Sequence, residues 1–332
     1  MVMPRLIAEQ YKKLPIMAEE STFLGKTYIV TGGNSGLGLE TARHLVEFSA
    51  SNVILAVRNL KAGENAKKDI ETSTGRMGVV QVWHIDMASH SSIQNFVNKA
   101  STELDRIDGL VANAGVMLDT WSTVDGIETS IAINVISTLF LGVLIMPILR
   151  ESGRRFGINP TLVFIVSVLG YTVKCEMDKS RGENIFDSLN NEKKAAVSDR
   201  YGLSKLVEEF AVRQLAALCP VERTGVIVTM VAPGLCSTGL GRDATTFTKV
   251  MHETVRSVMA RTAEVGSRTI LHGLVEGKES HGKLLSGCKI KEYWVPDWVL
   301  NAEGQRLQKG IWKELSAMLE KVQPGCMSRR TR

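Results

Sequence analysis

The stretch that most constrains this chain begins at Lys26. An apolar β-type run, Tyr28 to Val30, enters a loop with glycines at 32, 33, 36 and 38, and a helical pattern leaves it through Leu37, Thr41, Leu45 and Val46. The order is strand, phosphate loop, helix. One glycine turns the chain sharply, one lets backbone approach a pyrophosphate, and one lets the helix pack closely on the strand. The helix N-terminus then offers free N–H groups and the positive end of its dipole to phosphate. Turns collect glycine for conformational reasons alone. The strand before the loop and the helix after it are what point to a ligand.

Downstream the pattern repeats. Short apolar runs at 27–31, 53–57, 79–84, 109–112, 161–166, 226–231 and 283–286 read as strands, and helical patterns fall at 36–49, 60–72, 90–103, 126–150, 199–218, 246–260, 262–276 and 303–321. Runs such as Val53 to Val57 are apolar throughout, as in strands buried on both faces. The alternation predicts an α/β fold with one doubly wound parallel sheet and helices on both faces. Residues 1–22 read as a polar leader and 23–332 as one domain, since no repeat or low-complexity linker divides it.

Composition removes other classes. The net charge of +5, from 40 basic and 35 acidic residues, is scattered along the chain, so no nucleic-acid surface is expected. Five cysteines without metal-ligand spacing suggest reduced thiols in a cytoplasmic protein, with no metal and no disulfide framework. Residues 129–149 contain no charge and are long enough to span a bilayer, but Asn134 and Pro147 and the lack of a basic N-terminal flank favour a buried helix. That helix and the one carrying Tyr201 could pair copies of the chain into a homodimer or homotetramer.

Several residues carry chemistry. The second strand ends Val57-Arg58-Asn59, with no acid to accept from a ribose hydroxyl; a guanidinium there suits a 2′-phosphate and favours NADPH. Ser167 ends a buried strand, at the edge where open α/β sheets bind ligands. Tyr201 and Lys205 are four apart and share a helical face, where an ammonium favours the phenolate. Such a shift helps a phenol exchange protons near neutrality.

Together with Asn113-Ala114-Gly115, Asn134 and Pro233-Gly234, these motifs in this order resemble the short-chain dehydrogenase/reductase family from about residue 23 to the final helix. The resemblance implies a Rossmann fold and an NADP(H) site formed by Gly32, Asn34, Ser35, Gly36, Leu37, Gly38 and Arg58. Asp86 would contact the adenine, with N-capping of the next helix as a second reading, and Asn113, Ala114 and Gly115 would line the adenine side of the cleft. Tyr201 would be the proton donor or acceptor and Ser167 would hold the same oxygen. Lys205 would bond the nicotinamide ribose, and Asn134 would hold a water in a proton relay. Pro233 and Gly234 would lie beside the nicotinamide, and Thr238 would contact its carboxamide.

A long Ser167 to Tyr201 interval, with extra chain near 175–198, resembles retinol dehydrogenases, WW-domain oxidoreductases and fungal secondary-metabolism reductases. The ending from Ser280 to Trp312 is similar to the fungal members as well. Substrate contacts are expected from Val168, Leu169, Tyr171 and Leu235, and from the chain on to Met259 with its adaptable Met251 and Met259. Their apolar character points to a lipophilic small molecule, interconverted between ketone or aldehyde and alcohol in polyketide- or terpenoid-type metabolism. A C=C or C=N reductase on the same scaffold is the alternative. So is a non-catalytic NADPH-binding protein, whose broken Tyr/Lys pair this chain lacks.

Overall fold

Strand β1 (Thr27–Thr31) sends Tyr28 and Val30 into one apolar layer and Ile29 into the other. Side chains that alternate between two cores need helices on both faces of the sheet. The computed structural model describes residues 8–179, 184–240 and 260–329. Among these, β1 is followed by α1 (Gly36–Glu47), β2 (Asn52–Val57), α2 (Leu60–Thr74), β3 (Val80–His84), α3 (His90–Glu103) and β4 (Gly109–Ala112). Then come α4 (Thr129–Phe156), β5 (Thr161–Ile165), α5 (Arg200–Leu218), β6 (Ile227–Ala232), α6 (Ala263–Val275), β7 (Leu284–Ser286), β8 (Lys289–Ile290) and α7 (Ala302–Val322).

The sheet runs β8, β7, β6, β5, β4, β1, β2, β3. All neighbours are parallel except β7 and β8. The chain winds outward from β1 to β3 and then crosses back to β4 on the other side. The order therefore reverses between β1 and β4, which opens a crevice at their C-terminal ends. The expected strands and fold class are present. The expected helix at 246–260, with Met251 and Met259, falls almost wholly outside the described residues.

Helix α4 departs from its expected bounds. Residues 126–128 belong instead to a hairpin pairing Thr123–Val124 with Ile127–Glu128, turned by positive φ at Asp125 and Gly126. The Glu128 carboxylate accepts from the N–H groups of Ser130 and Ile131, so the helix starts only there. It continues to Phe156 and ends on left-handed Gly157. Within it, Ala132–Ser137 forms a π-helical turn, and Thr138 Oγ1 donates to the Ile133 carbonyl at 2.9 Å. Although long and apolar enough to cross a membrane, α4 is mostly buried in the core.

The chain near 175–198 folds into short helices, and Ile185, Phe186 and Leu189 join the main core. Glu314 of α7 accepts from the N–H groups of Ile185 and Phe186, each at 3.0 Å. Helix α7 also lies across α5, with Gln308 donating to Gln214 at 2.8 Å. Part of the surface of α5 is therefore covered within one chain.

A Cβ added at Gly38 would sit 2.5 Å from the Gly32 carbonyl oxygen and 2.6 Å from Asn113 Nδ2. Neither neighbour is free to move, so Gly38→Ala is expected to cost about 1–3 kcal/mol through overpacking. Urea unfolding monitored by circular dichroism would check this against Gly75→Ala, where a Cβ meets nothing and only the positive φ is strained.

Candidate active site

At the reversal, Thr31 is buried and its hydroxyl serves β1 and β4 together. Oγ1 donates to the Val111 carbonyl and accepts from the N–H groups of Asn113 and Ala114 at 3.0 and 2.9 Å. Asn113 Nδ2 returns a bond to the Thr31 carbonyl at 2.9 Å. Asn113-Ala114-Gly115 is thus laid against the glycine loop, with a Cβ on Gly32 only 3.2 Å from Asn113 Nδ2. The sequence assigned Thr31 no role. Its signal was a hydroxyl directly before the first loop glycine.

The loop fits a dinucleotide. Gly32 and Gly36 hold φ of +65° and +55°, and a Cβ on Gly33 would lie 3.1 Å from the Val30 carbonyl. Ser35 precedes α1 without capping it, and the first turn carries no acid, so the helix N-terminus has no side-chain acceptor. Its N–H groups and dipole are left to a phosphate. Thr238 closes the rim, since a Cβ on Gly36 would meet its Cβ at 3.0 Å. Asn34 and Leu37 are partly exposed on the same loop, and Arg58 is exposed at the end of β2 and forms no ion pair among the described residues.

Asp86 follows β3, and its Oδ1 accepts from the Ala88 N–H at 2.9 Å. It does not cap α3, because Ser89 does, accepting from Ser92.

On the facing side, Ser167 follows β5 and stands beside Tyr201, where its hydroxyl favours the phenolate. Helix α5 brings Tyr201, Ser204, Lys205 and Glu208 onto one face. Asn134, from the π turn, accepts from the Val116 N–H at 2.8 Å and donates to the Val116 carbonyl and to Ser204 Oγ, both at 2.9 Å. Ser204 passes the chain on, donating to the Tyr201 carbonyl at 2.8 Å. Both amide hydrogens of Asn134 are thus used, and water contact is left to the second lone pair of Oδ1. A Cβ on Gly115 would stand 3.1 Å from Asn134 Oδ1 and 3.8 Å from Lys205 Nζ, so loop, π turn and lysine meet at one point.

Lys205 Nζ donates to the Ile165 carbonyl at 2.7 Å and to Glu208 Oε2 at 2.8 Å. Burial works against its charge, but Glu208 and Tyr201 together more than offset burial and hold its pKa up. Glu208 is fully buried, Oε1 has no hydrogen-bond partner, and desolvation pushes its pKa up to about 7 despite Lys205. Burial also raises Tyr201, with Lys205 and Ser167 lowering it and Glu208 raising it. The expected lowering is therefore overturned: desolvation prevails, and Glu208 opposes part of the pull from Lys205. Sequence reasoning missed Glu208. A carboxylate one turn beyond a lysine looks like an exposed ion pair until the helix proves buried on all sides.

Of the expected substrate contacts, Leu169 and Leu235 are 44% and 36% exposed and Val168 is half-buried beside Ser167. Tyr171 is not among them. It is 7% exposed, packs in the main core and donates to Glu209 at 3.0 Å. Its hydroxyl serves a buried ion pair, Glu209 with Arg213, that Glu292 extends. Pro233 and Gly234 follow β6 as expected, with Gly234 at φ +87°.

The comparisons settle the family. The short chain dehydrogenase family model matches residues 26–177. The short chain dehydrogenase/reductase dmxR8 of Cryptosporiopsis sp. is 38% identical, over 97% of this chain and 98% of the relative. The chain belongs to the short-chain dehydrogenase/reductase family. The short chain dehydrogenase atnD of Emericella nidulans is 39% identical over 85% of this chain and 89% of its own. Among solved structures, a short chain dehydrogenase of Shigella flexneri complexed with NADP has a TM-score of 0.61 at 20% identity, covering 82% of this chain and 100% of that one. One from Escherichia coli CFT073 complexed with NADPH scores 0.60 at 20% identity, over 81% and 99%. As a member of this family, the protein is an oxidoreductase.

Glu208 gives a signed pH effect. Between 4.5 and about 7 the native state holds a proton that the unfolded chain releases. Stability therefore falls as pH rises through that window. The denaturation midpoint of Glu208→Gln should fall less than that of the unaltered protein between about pH 5 and about pH 7.5.

Proposed function

We propose that this protein is an NADPH-dependent reductase acting on a carbonyl of a lipophilic metabolite, with the reverse alcohol oxidation as its microscopic counterpart. One observation carries the proposal. The Tyr201 phenol beside the Ser167 hydroxyl, with Lys205 one helical turn behind it, stands at the sheet edge opposite an uncapped, glycine-lined helix N-terminus.

NADPH, when bound, supplies the hydride to the carbonyl carbon. Gly32, Asn34, Ser35, Gly36, Leu37 and Gly38 would hold its pyrophosphate and Arg58 its 2′-phosphate. Asp86 and Asn113 to Gly115 would border the adenosine half, and Pro233, Gly234 and Thr238 the nicotinamide half. The NADP- and NADPH-complexed structures that share the fold support this reading.

Tyr201 donates its proton to the carbonyl oxygen as negative charge develops there. Ser167, beside Tyr201, shares that oxygen and stabilises the charge. Lys205 lowers the cost of leaving Tyr201 as phenolate, and its third N–H direction is left for the nicotinamide ribose. Asn134 positions the Tyr201 turn through Ser204 and offers Oδ1 to a relay water. Val168, Leu169 and Leu235 present apolar surface to the substrate, consistent with a lipophilic ketone or aldehyde.

The fungal relatives are named dehydrogenases and reductases, which supports an oxidoreductase here, and we place its substrate in secondary metabolism of polyketide or terpenoid type. Cysteines outside any disulfide support a cytoplasmic setting. One eight-stranded sheet, built from strands along nearly the whole described chain, supports one domain across residues 23–332.

NADPH consumption with a panel of lipophilic ketones and aldehydes tests the reaction. Tyr201→Phe should lower kcat roughly 100- to 10,000-fold while NADPH binding survives; equal turnover by the two proteins would sink the assignment. Arg58→Ala should raise the KM for NADPH about tenfold or more and leave that for NADH nearly unchanged, because only NADPH carries the 2′-phosphate.

A further inference from the structure

The chain ahead of β1 is not a detached leader. Residues 9–15 run across the outer side of the Pro233–Leu235 turn, and three polar groups of that turn are held by two side chains. Gln10 Oε1 accepts from the Leu235 N–H at 3.1 Å, and Gln10 Nε2 donates to the Leu235 carbonyl. This side-chain amide pairs with the Leu235 peptide in both directions, as a neighbouring strand would. The buried guanidinium of Arg261 donates to the Pro233 carbonyl at 3.2 Å and to the Gln10 carbonyl at 3.1 Å, and it also reaches the Glu9 carbonyl. Arg261 N–H closes the figure by donating to the Leu235 carbonyl at 2.9 Å.

The anchorage extends further along the arm. Glu9 accepts from Lys291 Nζ at 2.7 Å, and Arg268 donates to the Leu14 carbonyl at 2.7 Å with the Leu14 side chain 4% exposed. Gly234 supplies an independent sign of a tight fit. It holds φ +87°, and a Cβ there would lie 2.9 Å from Gln10 Oε1 and 3.0 Å from Arg261 Nη1. The residue that lets the turn form is also the one that lets the arm approach.

We propose that Gln10 and Arg261 are positioning residues for the nicotinamide end of the cleft, acting through the Pro233–Leu235 turn that they clamp from behind. This rests on the assignment of that turn to the nicotinamide. The clamp saturates one edge of the turn with protein partners, so the opposite edge meets the cofactor in one fixed geometry. Arg261 serves by donating to carbonyls of arm and turn together, which a single-point cation such as lysine cannot reproduce.

The test compares NADPH with 2′,5′-ADP, which carries only the adenosine half and does not reach this turn. In Gln10→Ala, two hydrogen bonds are lost and NADPH affinity should fall about tenfold, while affinity for 2′,5′-ADP stays as it was. Amide exchange at Leu235 should accelerate, and the unfolding transition should remain single and cooperative. Arg261→Lys should show the same split between the two ligands.

If Leu235 exchanges faster yet NADPH affinity and kcat are unchanged, the clamp does not position the cofactor and the proposal fails. A parallel loss of both ligands together with the folded state would also overturn it, since that is a structural effect alone. If the unaltered protein binds 2′,5′-ADP but gains nothing from the nicotinamide half, the assignment of the turn itself is wrong.

Discussion

The site depends on the way β1 and β4 are tied together where the strand order reverses. Neighbouring strands in a parallel sheet separate at their C-terminal ends once their chains turn to opposite faces, and a crevice opens there. The Thr31 hydroxyl prevents that crevice from being shapeless. By bonding to Val111, Asn113 and Ala114 it joins the first strand's exit to the fourth strand's exit. Gly38 and Gly32 then allow Asn113 to approach so closely that no side chain would fit between. A phosphate loop on one side and the approach to Asn134 on the other are held in one frame by a single buried oxygen.

The facing wall is built on a different compromise. Helix α5 buries Lys205, Glu208, Glu209 and Arg213 in sequence, each nearly removed from water. Isolated charges there would be prohibitive, so each is matched: Lys205 by Glu208, and Arg213 by Glu209 and Glu292. The matching is incomplete at Glu208 and Glu209, where one carboxylate oxygen of each has no hydrogen-bond partner. The charge nearest Tyr201 is therefore a balance of ammonium and carboxylate, and burial dominates both. Reactivity at Tyr201 is set as much by exclusion of water as by the lysine one turn away.

The sequence made the scaffold legible because its signals are local. Fully apolar strands, glycines between strand and helix, and a tyrosine and lysine four residues apart all declare themselves within short windows. What stayed hidden depends on distant partners. Tyr171 looked like a pocket residue because its neighbours Val168 and Leu169 are; only the fold shows Glu209 taking its hydroxyl. The π turn carrying Asn134 has no periodicity of its own, since its shape follows from what Asn134 must reach at Val116 and Ser204. Glu208 read as surface because helical spacing says nothing of whether another helix covers that face. Here the end of β5 lies there, where the neighbouring Lys205 reaches the Ile165 carbonyl, while α7 covers another part of α5 from the far end of the chain.

That coverage has a consequence for biosynthesis. Tyr201 and Lys205 leave the ribosome well before Glu292, which completes the ion pair of Arg213, and before α7, which seals α5. Until those segments emerge, the nascent chain holds α5 with Arg213 short of one of its two carboxylates and one apolar flank open. The catalytic wall is among the last parts of the molecule that can become native, however early its residues are translated. A chain released short of α7 would present that open flank to chaperones and proteases as unfinished.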